Sequence, residues 1–189
     1  MLVENLYGHC HASSTTNTTV CTDTLQSHAD ILLNPKADLP SRFRSLFALR
    51  NINNDDAVKA ISDAFSTTDS ALLKHELAYC LGQMRLPSAI LGLQVVLADT
   101  KEDPMVRHEA GEALGAIADP SSLPVLRRFA DPQFEEEVAV RETCEIAIDN
   151  IENGRGIGCP CFFPHPNDIK FDSVDPAPPM DERLAVEEL

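Results

Sequence analysis

The stretch LLKHELAYCLGQM, residues 72–84, returns 33 positions later as MVRHEAGEALGAI, residues 105–117. Both copies place His beside Glu and carry Gly seven residues after the His. Apolar side chains recur in each copy at i, i+4, i+7, i+8 and i+11, which is the stripe of an amphipathic α-helix. These are Leu73, Leu77, Cys80, Leu81 and Met84 in the first copy, and Val106, Ala110, Ala113, Leu114 and Ile117 in the second. Self-similarity at this period predicts a helical repeat protein.

Weaker copies of the stripe flank this pair at residues 43–52 and 140–151. Shorter apolar helices are predicted between the copies, at residues 56–65, 87–97 and 120–129. The last two begin with Pro, which is typical of the first position of a helix or of the turn just before it. The unit is therefore helix, turn, helix, and we expect an all-α protein, an α-solenoid of about four helical pairs.

Four segments follow from this reading of the chain. Residues 1–23 are expected to form an irregular tail, and residues 24–152 the helical repeat domain. Residues 153–180 hold six Pro and three Gly without a helical period, which predicts a Pro-rich linker. Residues 181–189 are expected to be the start of a truncated further helix, since acidic residues stand at its N-terminus.

The composition restricts the partners of the protein. Asp and Glu number 30 against 15 Lys and Arg, so the formal net charge is -15. This charge disfavours nucleic acid and anionic membrane surfaces, and it favours a cationic ligand or a basic protein. We find no apolar run long enough for a membrane helix and no secretory signal at the N-terminus. A cytoplasmic location is expected, with the six Cys as free thiols.

The two His-Glu pairs are the candidate functional residues. At about 100° per residue, His75 falls roughly opposite the apolar stripe of its helix and Glu76 falls on the flank. His108 and Glu109 take the same places in the second copy. This placement disfavours buried core histidines. Because neighbouring helices pack about 8–10 Å apart, both pairs are predicted to reach one metal centre with His75, Glu76, His108 and Glu109 as ligands.

Gly82 and Gly115 lie on the same side of the predicted helices as the histidines. Glycine inside a helix costs about 1 kcal/mol relative to Ala. We interpret the two glycines as pocket-lining residues that leave clearance for a molecule bound in front of the histidines. The alternative is close packing between helices.

The ligand types restrict the metal. Imidazole and carboxylate without thiolate disfavour a structural Zn site, and two His with a carboxylate are the ligand set of non-haem Fe(II) oxygen chemistry. Mn and catalytic Zn would fit the same ligands and remain open at this point.

The strings LLKHELAYCLGQM (72–84) and PMVRHEAGEALGAIADP (104–120), together with RFRSLFALR (42–50) and SVDPAPPMDER (173–183), resemble the deoxyhypusine hydroxylases. These are HEAT-repeat di-iron monooxygenases. The resemblance implies HEAT-like helical pairs and hydroxylation of the deoxyhypusine side chain of translation factor 5A to hypusine. It also implies O2 as co-substrate and Fe(II), with two irons in a complete site and no catalytic residue beyond the metal ligands. By resemblance His75, His108 and Glu109 are iron ligands, and Glu76 either joins them or holds the amine of the substrate.

The family has two similar halves, each with two His-Glu motifs, whereas this sequence has two motifs in all. We therefore expect the N-terminal half of such an enzyme, as a fragment or a truncated isoform. The alternative is that the site is completed by self-association or by pairing with a separate second half. A non-catalytic HEAT-type scaffold for a basic partner is the competing function, and a HEAT-like chromophore lyase is a third.

Overall fold

The computed structural model describes the backbone of residues 15–153, with side chains from residue 24 onward. Every regular element in this range is helical, so the predicted all-α class is confirmed. Eight α-helices lie in the described residues: α1 (Thr15–Leu33), α2 (Leu39–Ile52), α3 (Asp55–Ala64), α4 (Ala71–Met84), α5 (Ile90–Ala98), α6 (Pro104–Ile117), α7 (Leu123–Ala130) and α8 (Val138–Asn153). None of the described helices is both long and apolar enough to span a bilayer.

The helices pack in two layers. Consecutive helices pair as α1 with α2, α3 with α4, α5 with α6, and α7 with α8. The second helices of the pairs follow one another in one layer, where α4 lies against α2 on one side and α6 on the other, and α6 in turn packs on α8. The four helical pairs predicted from the repeat are therefore confirmed as an α-solenoid.

The predicted apolar stripes form the core between the layers. Leu73, Leu77 and Leu81 of α4 are fully buried, and so are Val106 and Leu114 of α6. Cys80 and Cys144 are also buried in this core as free thiols. Burial raises the pKa of each thiol to about 12. These cysteines are therefore small apolar core residues and not metal ligands.

Local signals fix where the inner helices begin and end. The Ser70 side chain accepts a hydrogen bond from the backbone N–H of Leu73 at the start of α4, and Asp103 caps α6 in the same way. Helices α2, α4 and α6 end on residues with left-handed backbone, Asn53 (φ 50°), Arg85 (φ 52°) and Ala118 (φ 58°). Because both ends recur at the repeat period, the inner helices stay in register with one another.

The prolines predicted to start two helices lie in 3-10 turns just before them. These turns are Pro87–Ala89 and Pro120–Ser122, and α5 and α7 follow directly. The turn before the helix, which was one of the two expected positions, is therefore the one that the structure shows.

A buried basic residue joins the two layers at matching positions of two repeats. Arg42 donates from Nε to the carbonyl oxygen of Leu32 at 2.8 Å, and Arg107 donates from Nε to that of Leu97 at 3.0 Å. Arg107 also forms a buried ion pair with Glu135. Since Arg107 directly precedes His108, this contact fixes the first turns of α6, where the candidate site lies.

The boundaries of the helical domain differ from the expectation at one end. Helix α1 begins at Thr15, so it extends into the segment 1–23 that was expected to be irregular. At the other end α8 closes at Asn153, beside the expected boundary at residue 152. Residues 1–14, the linker from residue 154 onward and the predicted helix at 181–189 lie outside the described residues.

Candidate metal centre

The two His-Glu motifs lie side by side on neighbouring helices. His75 is the fifth residue of α4, and His108 is the fifth residue of α6. His75 Nε2 lies 3.2 Å from Glu109 Oε2, and His75 Nδ1 lies 3.5 Å from Glu76 Oε1. The structure thus brings three of the four predicted ligands into direct contact across the repeat boundary.

The fourth predicted ligand, His108, forms a group with two carboxylates of its own helix. His108, Glu109 and Glu112 can each place one ligand atom so that all three atoms lie within 4.8 Å of one another. The closest approach between His108 and Glu112 is 3.7 Å, from Nε2 to Oε2. A metal ion bound by this group would therefore lie on α6, with Glu109 linking it to His75 of α4.

Glu112 is the ligand candidate that sequence reasoning missed. It lies four residues after His108, on the same face of α6, which brings the two side chains together. The first copy of the repeat has Tyr79 at the corresponding position, so a search for residues shared by both copies passes over it. The signal that could have found it is the His-to-Glu spacing of one helical turn.

Burial differs within the cluster. Glu109 is buried, with 6% of its surface exposed. The side chains of His75, Glu76, His108 and Glu112 are between 26% and 33% exposed. The cluster therefore has a buried carboxylate at its base and partly accessible groups around it, which is an arrangement that a bound ligand can reach.

The electrostatics of the cluster favour a bound cation. Burial, together with the negative charges of Glu112 and Glu76, raises the pKa of Glu109 to about 8. Burial also raises the pKa of Tyr79, and the negative charges of Glu109 and Glu76 add to that effect. A divalent cation would offset this accumulated negative charge. Two imidazoles and three carboxylates, without a thiolate, suit Fe(II), Mn or catalytic Zn, so the residues present fit an iron site.

Gly82 and Gly115 lie at close contacts between neighbouring inner helices, which was the alternative interpretation of these residues. A Cβ on Gly82 would lie 2.9 Å from the Cα of Ala113, and a Cβ on Gly115 would lie 2.9 Å from the Cα of Ala147. Both glycines therefore allow close packing, of α4 on α6 and of α6 on α8. The helical periodicity of the sequence does not show these two contacts, because an inner helix of a solenoid also packs along its two flanks, beyond its apolar stripe.

A cavity of about 290 Å³ adjoins the cluster. Glu109 and Glu112 line it together with Tyr79, Gln83 and Arg50, and Arg50 Nη1 donates to Gln83 Oε1 at 2.9 Å. Gly82 also lines this cavity, whereas Gly115 is not among the residues that line it. The carboxylates of the candidate metal centre thus open directly onto a space that can hold a small group.

The fold and this site together define a HEAT-repeat protein with a histidine-carboxylate cluster between two of its repeats. The sequence model of the family described as HEAT repeats matches residues 73–147, which span both motifs. The comparison with individual proteins is more specific than the family model. Deoxyhypusine hydroxylase of Danio rerio is 52% identical over 84% of this chain and 50% of its own length. The Homo sapiens enzyme is 51% identical over 80% of the chain and 47% of its own length.

A solved structure gives the same result in three dimensions. Human deoxyhypusine hydroxylase in complex with glycerol aligns with 88% of this chain and 55% of its own chain, at a TM-score of 0.70 and 44% identity. The resemblance predicted from the His-Glu repeats is confirmed: the chain is a homologue of the deoxyhypusine hydroxylases. It spans about half the length of the curated relatives that it matches.

Proposed function

We propose that this chain supplies one half of a deoxyhypusine hydroxylase and binds iron between α4 and α6. The observation that carries the proposal is the position of Glu109. This buried carboxylate lies 3.2 Å from His75 of one repeat and also belongs to the ligand group of His108 and Glu112 in the next. A single acidic residue that joins two histidines in this way is expected of a metal centre and not of a packing contact.

The candidate ligands form a group of three residues with a fourth beside it. His108, Glu109 and Glu112 would hold the ion, and His75 would approach the ion from the side of the cluster where it contacts Glu109. When bound, Fe(II) supplies the O2-dependent hydroxylation chemistry that a hydroxylase needs. Two irons are implied for a complete site. Because the chain spans about half of its relatives, the remaining ligands would come from a second half or from a second copy of the chain.

The substrate in this proposal is the deoxyhypusine side chain of translation factor 5A. That side chain is a cation, and it would approach a protein with a net charge of -15 through a cavity lined by Glu109 and Glu112. The Glu76 carboxylate lies outside the three-ligand group and is partly exposed, so it suits an amine of the substrate. A translation factor as substrate also agrees with the expected cytoplasmic location.

The competing function is a HEAT-type scaffold that holds a basic partner without chemistry. The partly exposed carboxylates of the cluster and the negative net charge would serve that function equally well. Metal binding separates the two functions, because a scaffold has no need for imidazoles placed among the carboxylates.

The test is Fe(II) binding by the purified chain under anaerobic conditions, measured by calorimetry and by iron analysis. We expect the wild type to bind iron and His108→Ala and Glu109→Gln to lose at least tenfold in affinity. Glu145→Gln, an exposed change on α8, is the matched control and should bind as the wild type does. Equal binding by all four proteins, or none by the wild type, would favour the scaffold. Hydroxylation of the deoxyhypusine-containing factor, with a second half added, then tests the reaction itself.

A further inference from the structure

One contact repeats across the inner layer with a change of residue type. The Glu after the motif His of α6, Glu109, lies against His75 of the preceding inner helix. In α8 the position that corresponds to Glu109 is occupied by Thr143, and Thr143 lies against His108 of α6. Each motif histidine is therefore met by the same position of the following repeat, as a carboxylate in one case and as a hydroxyl in the other.

We propose that Thr143 is a positioning residue that holds His108 in the tautomer and orientation required for binding a metal. Its Oγ1 lies 2.5 Å from His108 Nδ1. When this oxygen accepts the Nδ1–H hydrogen bond, Nε2 keeps its lone pair, and Nε2 is the atom that lies 3.7 Å from Glu112. This inference rests on the metal centre proposed above.

The Thr143 side chain is itself held in place. It is buried, with 8% of its surface exposed. Its methyl group lies over Gly111 of α6, since a Cβ added to that glycine would be 3.4 Å from Thr143 Cγ2. With the methyl group fixed against α6, the hydroxyl is directed at the imidazole, because threonine adopts few χ1 rotamers.

His75 provides the contrast within the same protein. Its Nδ1 is buried and has no hydrogen-bond partner within the described residues. The nearest carboxylate oxygen, Glu76 Oε1, is 3.5 Å away. Only His108 therefore has its second ring nitrogen held by a fixed neighbour, as ligating histidines in metal sites usually do. We infer that His108 is the better organised of the two imidazoles before any metal binds.

The test uses three variants of the intact chain. Thr143→Val keeps the shape of the side chain and removes the hydroxyl, Thr143→Ala removes both methyl and hydroxyl, and Thr143→Ser restores the hydroxyl alone. In the metal-free wild type, long-range ¹H–¹⁵N correlation of the imidazoles should show His108 protonated at Nδ1. The Val and Ala variants should show a mixture of tautomers, and the Ser variant should resemble the wild type. The spectrum of His75 is the internal control and should not change.

Metal affinity is the second measurement, with Co(II) as the probe because its d–d bands report the coordination geometry. Loss of the hydroxyl should weaken Co(II) binding about 10- to 100-fold and alter those bands, and Thr143→Ser should restore both. Cys144→Ala is the packing control, because Cys144 also lies beside Gly111. It should leave the affinity unchanged.

Two outcomes would overturn the assignment of Thr143: an unchanged His108 tautomer in both the Val and Ala variants, or an equal loss of affinity in Cys144→Ala. A wild type that binds no metal would instead refute the proposed function. In that case the tautomer measurement still decides the role of Thr143, since it needs no metal.

Discussion

His75 Nε2 on α4 lies 3.2 Å from Glu109 Oε2 on α6, so an imidazole of one repeat meets a carboxylate of the next. This contact makes Glu109 the shared member of both motifs, and it is also the buried member of the cluster. A carboxylate in this position is unfavourable when the site is metal-free and favourable when a cation is bound. The pH dependence of stability predicted next depends on that difference.

Replacing Glu109 should stabilise the metal-free protein at alkaline pH. Its pKa is raised in the folded state from 4.5 to about 8, so its ionisation opposes folding. The part of the free energy of unfolding that depends on neutral Glu109 is fully present below pH 4.5 and is lost as the pH rises through 8. Glu109→Gln cannot ionise and should escape this loss, by about 1–3 kcal/mol at pH 9. Urea unfolding in chelator at pH 5 and pH 9 measures the difference. A Glu109→Gln effect of equal size at both pH values would contradict it.

Glu112 should contribute more to metal affinity than Glu76 does. Glu112 belongs to the three-ligand group with His108 and Glu109, and Glu76 does not. We expect Glu112→Gln to weaken Co(II) binding about 10- to 100-fold, and Glu76→Gln to weaken it less. Parallel calorimetric titrations of the two variants make the comparison, since each loses one carboxylate. A larger loss of affinity with Glu76→Gln would contradict this prediction and would indicate that the metal lies closer to α4.

The repeat pattern predicts most of the fold. Leu73, Leu77 and Leu81 could be assigned to the core because a stripe at helical spacing has to be buried. The starts of α5 and α7 were also predictable, since Pro marks the turn before each of them. The conflict between helix propensity and Gly115 was visible in the sequence, but its cause was not. The cause is the approach of Ala147 from α8, which depends on how the inner helices cross.

The site was only half predictable for a related reason. His75 and Glu109 could be paired because both repeats carry the same motif. Glu112 and Thr143 occur in one repeat each, so comparing the copies with one another gives them no weight. Thr143 becomes recognisable once the register of α6 against α8 is known, since that register places Thr143 on His108. A residue that supports a ligand from the next repeat is therefore hidden until the helices are packed.

Breaking the buried ion pair at the start of α6 should strongly destabilise the protein. Arg107 and Glu135 are 2% and 4% exposed, so removing the carboxylate leaves a buried guanidinium without its partner. We expect Glu135→Ala to cost about 3–5 kcal/mol. Asp63→Ala removes the partner of Lys59 in an exposed pair and is the matched control, with an expected cost of at most about 0.5 kcal/mol. Urea unfolding of both variants is the measurement. Similar small effects would show that Arg107 is held well enough by the carbonyl of Leu97.

Adding a methyl group at Gly82 should destabilise the packing of α4 on α6, although Ala is the better helix former. The new Cβ would lie 2.9 Å from both Cα and Cβ of Ala113, and the backbone atom cannot yield without moving α6. We expect Gly82→Ala to cost about 1–3 kcal/mol in thermal or urea unfolding. Gly92→Ala on α5 is the control, because its added Cβ would meet only the Ser62 side chain, at 3.2 Å, and a side chain can rotate. That variant should be neutral or gain up to about 1 kcal/mol. A Gly82→Ala protein as stable as wild type would mean that α4 and α6 can separate without penalty.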